Sequence, residues 1–141
     1  MTVNLKNGID NLLFGMKQKD VEAILGKPNK QFLDDDKNVI YLYNKEKLRL
    51  TFYEDENLRL GYIITSNPSA TVLSHQVIGK NIEEVKNALP IKDWETEDFD
   101  STINHFNESN WLIFQTEFEE VIRIELGAII NDKDEIEWKF K

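Results

Sequence analysis

The side chains able to do chemistry are few and scattered. His75 and His105 are the only histidines in a chain without cysteine. Neither has a serine, carboxylate or second histidine at a spacing that would make a nucleophile–base pair or a metal-ligand set. Both therefore read as structural or surface residues. Asp34-x-Asp36-x-Asn38 imitates the opening of a calcium loop, but Val39 stands where the turn glycine belongs and Lys45 where the closing glutamate belongs. A solvated hairpin turn accounts for these three, and no metal or cofactor is expected. Asn107-Glu108-Ser109 fits the glycosylation acceptor pattern, which carries no weight beside a chain start that lacks an export signal.

What remains is the chemistry of recognition. With 17 basic and 26 acidic residues the net charge is −9, which repels nucleic-acid phosphates, and no Lys/Arg run offsets it locally. A basic protein is the compatible partner. Asp34, Asp35 and Asp36, with Glu95, Glu97, Asp98 and Asp100, form acidic groups in expected turns and are the candidate charged rim. Tyr53, Trp111 and Arg123 are the candidate anchors, since aromatic and arginine residues dominate interfaces. Ile113, Arg49 and Arg59 fall on the same side. The bland alternative is that the acidic groups keep loops soluble and that the rest of the chain, or a second subunit, covers the aromatics.

These residues must be positioned by helices and strands. Gly15 to Pro28 reads as a glycine-bracketed helix with Val21, Ile24 and Leu25 on one stripe, and Gly79 to Pro90 repeats it with Val85, Ala88 and Leu89. Gly15 and Gly79, Val21 and Val85, Leu25 and Leu89 share one offset (79 − 15 = 64). Asn81 with Glu84 predicts the sharper helix start. Strands are predicted over Val39 to Tyr43, Leu48 to Tyr53 and Leu58 to Ile64, with a short one at Phe32-Leu33. Alternation points Leu48, Leu50, Phe52, Leu58, Leu60 and Tyr62 toward the helix, and Arg49, Thr51, Tyr53 and Arg59 away. The same offset carries Leu48, Leu50, Leu58, Leu60 and Tyr62 onto Leu112, Phe114, Ile122, Ile124 and Leu126, all apolar. Ile103 and His105 to Asn107 stand for a further strand, and Glu135 to Lys141 for a last one. Met1 to Leu13 is either a helical turn or an extended lead-in.

The expected fold is therefore α+β: two tandem helix-plus-antiparallel-meander repeats, about residues 9–66 and 72–141, forming one sheet with helices on one face of a single 1–141 domain. No stretch approaches the roughly 20 apolar residues of a membrane span, and Met1 to Gly15 lacks a basic start and an apolar signal core. A cytoplasmic location is expected.

The form Gly-x4-Asp/Glu-Val-x3-Leu-Gly-x-Pro followed by a meander resembles the bacterial SmpA/OmlA small lipoprotein domain. Gly15, Asp20, Val21, Leu25, Gly26 and Pro28 match it, as do Gly79, Glu84, Val85 and Leu89, although the second copy lacks the glycine after Leu89. In tandem the motif is similar to the β-lactamase inhibitor protein architecture, in which one sheet grips a partner enzyme. Lacking that family's disulfides and a lipobox cysteine, the chain looks like an intracellular version. The resemblance implies a non-enzymatic immunity protein, monomeric or homodimeric, that neutralises a bacterial polymorphic or contact-dependent growth inhibition toxin, such as a basic nuclease domain, by occluding its active site. The alternative is a small-molecule-binding or hydrolytic protein with a pocket between sheet and helices, where buried Asp or Glu would act.

Overall fold

The computed structural model describes residues 1–140. The first thirteen residues form three short strands joined by turns, β1 (Thr2–Asn4), β2 (Gly8–Ile9) and β3 (Leu12–Leu13). The helix α1 (Gln18–Leu25) leads into a meander of β4 (Lys30–Leu33), β5 (Val39–Tyr43), β6 (Leu48–Tyr53) and β7 (Arg59–Thr65). Two short strands, β8 (Thr71–Val72) and β9 (His75–Gln76), precede α2 (Ile82–Ala88). A second meander of β10 (Trp94–Phe99), β11 (Thr102–Asn107), β12 (Leu112–Glu117) and β13 (Glu120–Gly127) follows. The eight longer strands make one antiparallel sheet in the order β10-β11-β12-β13-β7-β6-β5-β4, and the short ones a second sheet in the order β3-β2-β1-β8-β9.

The expected α+β architecture of two helix-plus-meander repeats in one sheet is thereby corrected. The protein is mostly β, 44% strand and 15% helix, with two sheets of five and eight strands. The lead-in, for which a helical turn and an extended segment are both open, is built of short strands, and it pairs with the segment after β7: β1 runs parallel to β8 through Thr2–Thr71 and Val3–Val72. Val3 and Val72 are both buried there, so packing against the core, not alternation within a run, makes these two- and three-residue strands.

The offset of 64 also fails partway. It holds where Tyr41 faces Leu50 and His105 faces Phe114, and both meanders carry an irregularity, after Thr51 and after Gln115. Beyond it, Thr51 pairs with Tyr62 but Gln115 with Arg123, so the correspondence on β7 and β13 becomes 61 (123 − 62). The five-residue connection 54–58 against the two-residue turn 118–119 accounts for the three lost positions. Tyr62 consequently points away from the core, not into it, and Leu60 and Ile63 take the buried places, because the bulge at Gly61 breaks the two-residue alternation.

One core fills the space between the inner face of the large sheet, the helices and the small sheet. Val21, Ile82 and Val85 from the helices join Val3, Leu12 and Val72 from the small sheet and Leu50, Phe52, Leu60, Phe114 and Leu126 from the large one. Ile24 and Ala88, expected on the apolar stripes, are exposed; a two-turn helix touches the core with about one residue per turn. Asn81 caps α2 by accepting from Glu83 and Glu84 N–H, whereas α1 starts at Lys17 without a side-chain acceptor of that kind. Tyr41, which accepts from Gln18 Nε2 at 2.9 Å and donates to Glu22 Oε2 at 2.6 Å, ties α1 to β5.

The last predicted strand is not one. Ile136, Trp138 and Phe140 do pack on the core as their alternation implies, but only an isolated Ile130–Ile136 bridge forms. The N–H groups of Lys139 and Phe140 both reach Phe14 O, so the segment lies against a loop and, among the described residues, finds no ladder partner. Lys141 lies outside the described residues.

The turn between β12 and β13 is built against its residues. Phe118 (φ 50°) and Glu119 (φ 67°) occupy the two left-handed positions of a two-residue hairpin closed by Glu117 and Glu120, where Asn-Gly is the favoured pair. Phe118 is 91% exposed and so gains nothing from packing. Neighbouring bonds, Ile82 N–H to Glu119 O at 2.9 Å and Val121 N–H to Lys80 O at 2.9 Å, hold the strained backbone in place. Replacing Phe118-Glu119 with Asn-Gly should raise the stability by about 1 to 2 kcal/mol in urea denaturation. An unchanged midpoint would show the turn to be unstrained.

Candidate functional site

The outer face of the large sheet, away from the helices, carries a cleft of about 420 Å³ across the second meander. Its walls come from five strands. Tyr53 ends β6, Tyr62 lies on β7, Ile113 on β12, Phe106 and Asn104 on β11, and Glu95 and Glu97 on β10, with Trp111 from the turn before β12. Cross-strand pairing orders them: Glu95 faces Phe106, Phe106 faces Ile113, and Ile113 faces Glu125.

Two strand glycines shape this surface. A β-carbon at Gly61 would lie 2.0 Å from Tyr53 Cε2, and one at Gly127 would lie 2.1 Å from Trp111 Cδ1. Each aromatic ring therefore lies directly on the backbone of a central strand, and only glycine leaves room for it. Trp111 has a left-handed φ of 45°, and buried Asn107 organises its turn: Nδ2 donates to Lys92 O at 2.6 Å while Oδ1 accepts from Asn110 Nδ2 at 2.8 Å and Asn110 N–H at 3.2 Å. Phe106 meets Trp111 edge-on, ring centroids 5.2 Å apart.

Tyr62 donates to Glu125 Oε1 at 2.5 Å. Burial first, then this bond, holds the Tyr62 phenol far above its usual pKa; burial followed by the charge of Asp55 raises Tyr53 as well. Both phenols are neutral donors at physiological pH. The cleft thus offers an aromatic floor, phenolic hydroxyls and a carboxylate edge, a combination suited to an apolar group flanked by cations.

Of the expected site residues, the structure brings Tyr53, Trp111, Glu95 and Glu97 together here. It does not bring in the others. Arg123 opens onto a separate groove, Asp98 and Asp100 lie exposed toward and at the β10–β11 tip, and Asp34 to Asp36 belong to the β4–β5 turn at the far end of the sheet. Glu95, Glu97 and Asp98 are also not in a turn as expected. They sit in β10, the edge strand, where charge discourages pairing with another chain. Asp34 is committed to its own turn, accepting from Asp36 N–H at 2.9 Å, Asn38 N–H at 3.0 Å and Asn38 Nδ2 at 3.1 Å. Desolvation pushes its pKa up, but the bonds from Asn38 and Asp36 and the charge of Arg49 leave it lowered. Missed in the sequence were Tyr62, Phe106 and Glu125. The usable signal was Gly61 and Gly127 inside strand patterns, which mark close approach.

His75 is exposed, whereas His105 is buried in the core beneath α2. Thr116 Oγ1 donates to Ile103 O, so His105 Nε2 donates to Thr116 Oγ1 at 3.2 Å and Nδ1 remains a buried acceptor without a partner among the described residues. Burial, then Lys86, lowers its pKa, and Glu83 opposes weakly. The unfolded chain therefore binds a proton that the native protein resists. Stability from this group is complete above the unfolded value near 6.5 and is lost as pH falls from there toward the lowered native value. Urea midpoints between pH 7 and 5 should fall for the wild type and fall less for His105→Leu; parallel curves would dismiss His105 as the cause.

Among the described residues no helix is long and apolar enough to cross a membrane. No family model matches the chain, and no curated protein matches it. Two solved structures resemble it. An extracellular protein containing a SCP domain from Bacillus anthracis str. Ames superposes with a TM-score of 0.52 at 12% identity, covering 80% of this chain but 43% of that one, so the chain spans less than half of its length. A DUF4309 family protein (YjgB) from Bacillus subtilis subsp. subtilis str. 168 superposes with a TM-score of 0.58 at 18% identity over 85% of this chain and 84% of that one. At such identities what the chain shares with them is the fold.

Proposed function

We propose that the protein is a non-catalytic binding module, an inhibitor of the immunity type, that covers the active site of a basic bacterial toxin with the outer face of its large sheet. The observation that carries this reading is the cleft: Tyr53, Tyr62, Phe106 and Trp111 gathered on one face and edged by Glu95 and Glu97. Buried aromatics inside a charged rim are the usual anatomy of an interaction hot spot. The net charge of −9 would steer a cationic partner toward it. The proposal sets the encounter in the cytoplasm of the producing cell.

The test is co-expression with the toxin-like product of the adjacent gene, scored by survival and by binding kinetics across a salt series. Association should slow as salt rises, and Trp111→Ala should speed dissociation at a cost on the order of 2 kcal/mol. Glu95→Gln with Glu97→Gln should slow association with little change in dissociation. A wild-type protein that gives no protection would remove the immunity reading, and protection indifferent to all three substitutions would remove the cleft.

A further inference from the structure

A second groove, of about 470 Å³, lies on the same outer face across the first meander and β13, and its charge is opposite. Lys47, Arg49 and Arg123 line it with Ser66, over the half-buried aliphatic side chains of Leu42 and Ile64. Sheet register explains why the three cationic residues line one groove. Arg49 faces Ile64 across β6 and β7, Ile64 faces Glu125 across β7 and β13, and one step beyond the Ile124–Thr65 pair Arg123 comes opposite Ser66. Ser66 N–H in turn donates to Lys47 O at 3.2 Å, which brings the lysine to the same end.

Three cations in one groove repel each other, and in a chain with nine excess negative charges they have carboxylates to choose from. Asp34 feels the charge of Arg49 but its oxygens are taken up by its own turn, and Glu125 accepts from Tyr62. No carboxylate lines the groove among the described residues. Arg49 is steadied over the Phe32 ring, its guanidinium carbon 5.7 Å from the centroid, which holds the group without neutralising it. We propose that this groove is a binding site for an oxyanion, carboxylate or phosphate, carried on an aliphatic stem. Arg49 and Arg123 each present a guanidinium fork, a geometry suited to a multi-oxygen anion. Leu42 and Ile64 supply the surface for the stem. The inference stands independently of the immunity reading, because it concerns a different half of the face and needs no toxin.

Nitrogen-resolved NMR of the full chain, observing backbone amides and arginine Nε, tests it with hexyl phosphate, hexanoate, inorganic phosphate and an acetylated Leu-Glu-Leu amide. Saturable shifts at Arg49, Arg123 and Ser66 are expected with the stem-bearing anions, at affinities about tenfold above inorganic phosphate because the stem adds apolar burial. Saturation by hexyl phosphate or hexanoate with none by the peptide assigns the site to free small anions; saturation by the peptide assigns it to an acidic side chain of a partner. Arg49→Gln and Arg123→Gln, both at exposed positions, should each weaken binding at least about fivefold with the melting temperature unchanged, and Arg123→Lys less than Arg123→Gln. Non-saturating shifts, shifts at other residues, or binding that survives the double Arg49→Gln, Arg123→Gln variant would overturn the proposal.

Discussion

Phe114→Ala should destabilise the protein by about 3 to 5 kcal/mol, the largest loss expected from a single truncation. Phe114 is fully buried on β12, at the meeting point of three elements: it faces His105 across β11, faces Ile124 across β13, and stacks against Trp94 of the edge strand with ring centroids 5.3 Å apart and an interplanar angle of 28°. Removing the ring leaves a cavity that the paired strands cannot close, because their register is held by hydrogen bonds on both sides. Leu50, also fully buried and facing Tyr41, should follow at about 2 to 5 kcal/mol on truncation to alanine. Urea denaturation measures both, and losses near zero would mean that the inner face is misassigned.

Gly127→Ala should cost about 1 to 3 kcal/mol, because a methyl group there collides with the Trp111 indole at 2.1 Å. The sign is the informative part. At an unobstructed strand position the same substitution stabilises by about 0.4 to 1 kcal/mol through the unfolded chain. In the Trp111→Ala background the obstruction is gone, so the penalty should vanish and a double-mutant cycle should report coupling of 1 kcal/mol or more. Additive effects would show that Trp111 does not rest on Gly127. Because Trp111 would be lifted from the floor of the cleft, the single Gly127→Ala variant should also weaken partner binding without touching a contacting side chain.

The helices, the positions of β5 to β7 and β11 to β13, and the inner face of β6 and β12 were legible in the sequence because period and spacing express them locally. Val21 and Val85 are buried as their spacing implies, and Leu48, Leu50, Phe52, Leu112 and Phe114 keep strict alternation through regular strand. Tyr62 was misread because a bulge inserts one residue and reverses every face beyond it, and nothing in a two-residue period announces that. Ile122, Ile124 and Leu126 satisfied the offset of 64 for a different reason: an apolar strand offers an apolar residue at several phases, so agreement there could not detect a shift of three.

Length, charge and local pattern by themselves determined that this chain is an acidic protein with two short helices, seven of the eight longer strands and acidic groups facing solvent. Tertiary structure alone decided that the lead-in and residues 71–76 make a second sheet, since the short strands β1 and β8 join it through a partner 69 residues away (71 − 2) over a common core. It alone decided the cleft too. Tyr53 rests on Gly61 and Trp111 on Gly127, pairs at separations of 8 (61 − 53) and 16 (127 − 111) residues, and these contacts depend on how β6 pairs with β7 and β12 with β13. Such pairing is set by the competition of whole strands for neighbours, a property of the assembled sheet that no single segment carries.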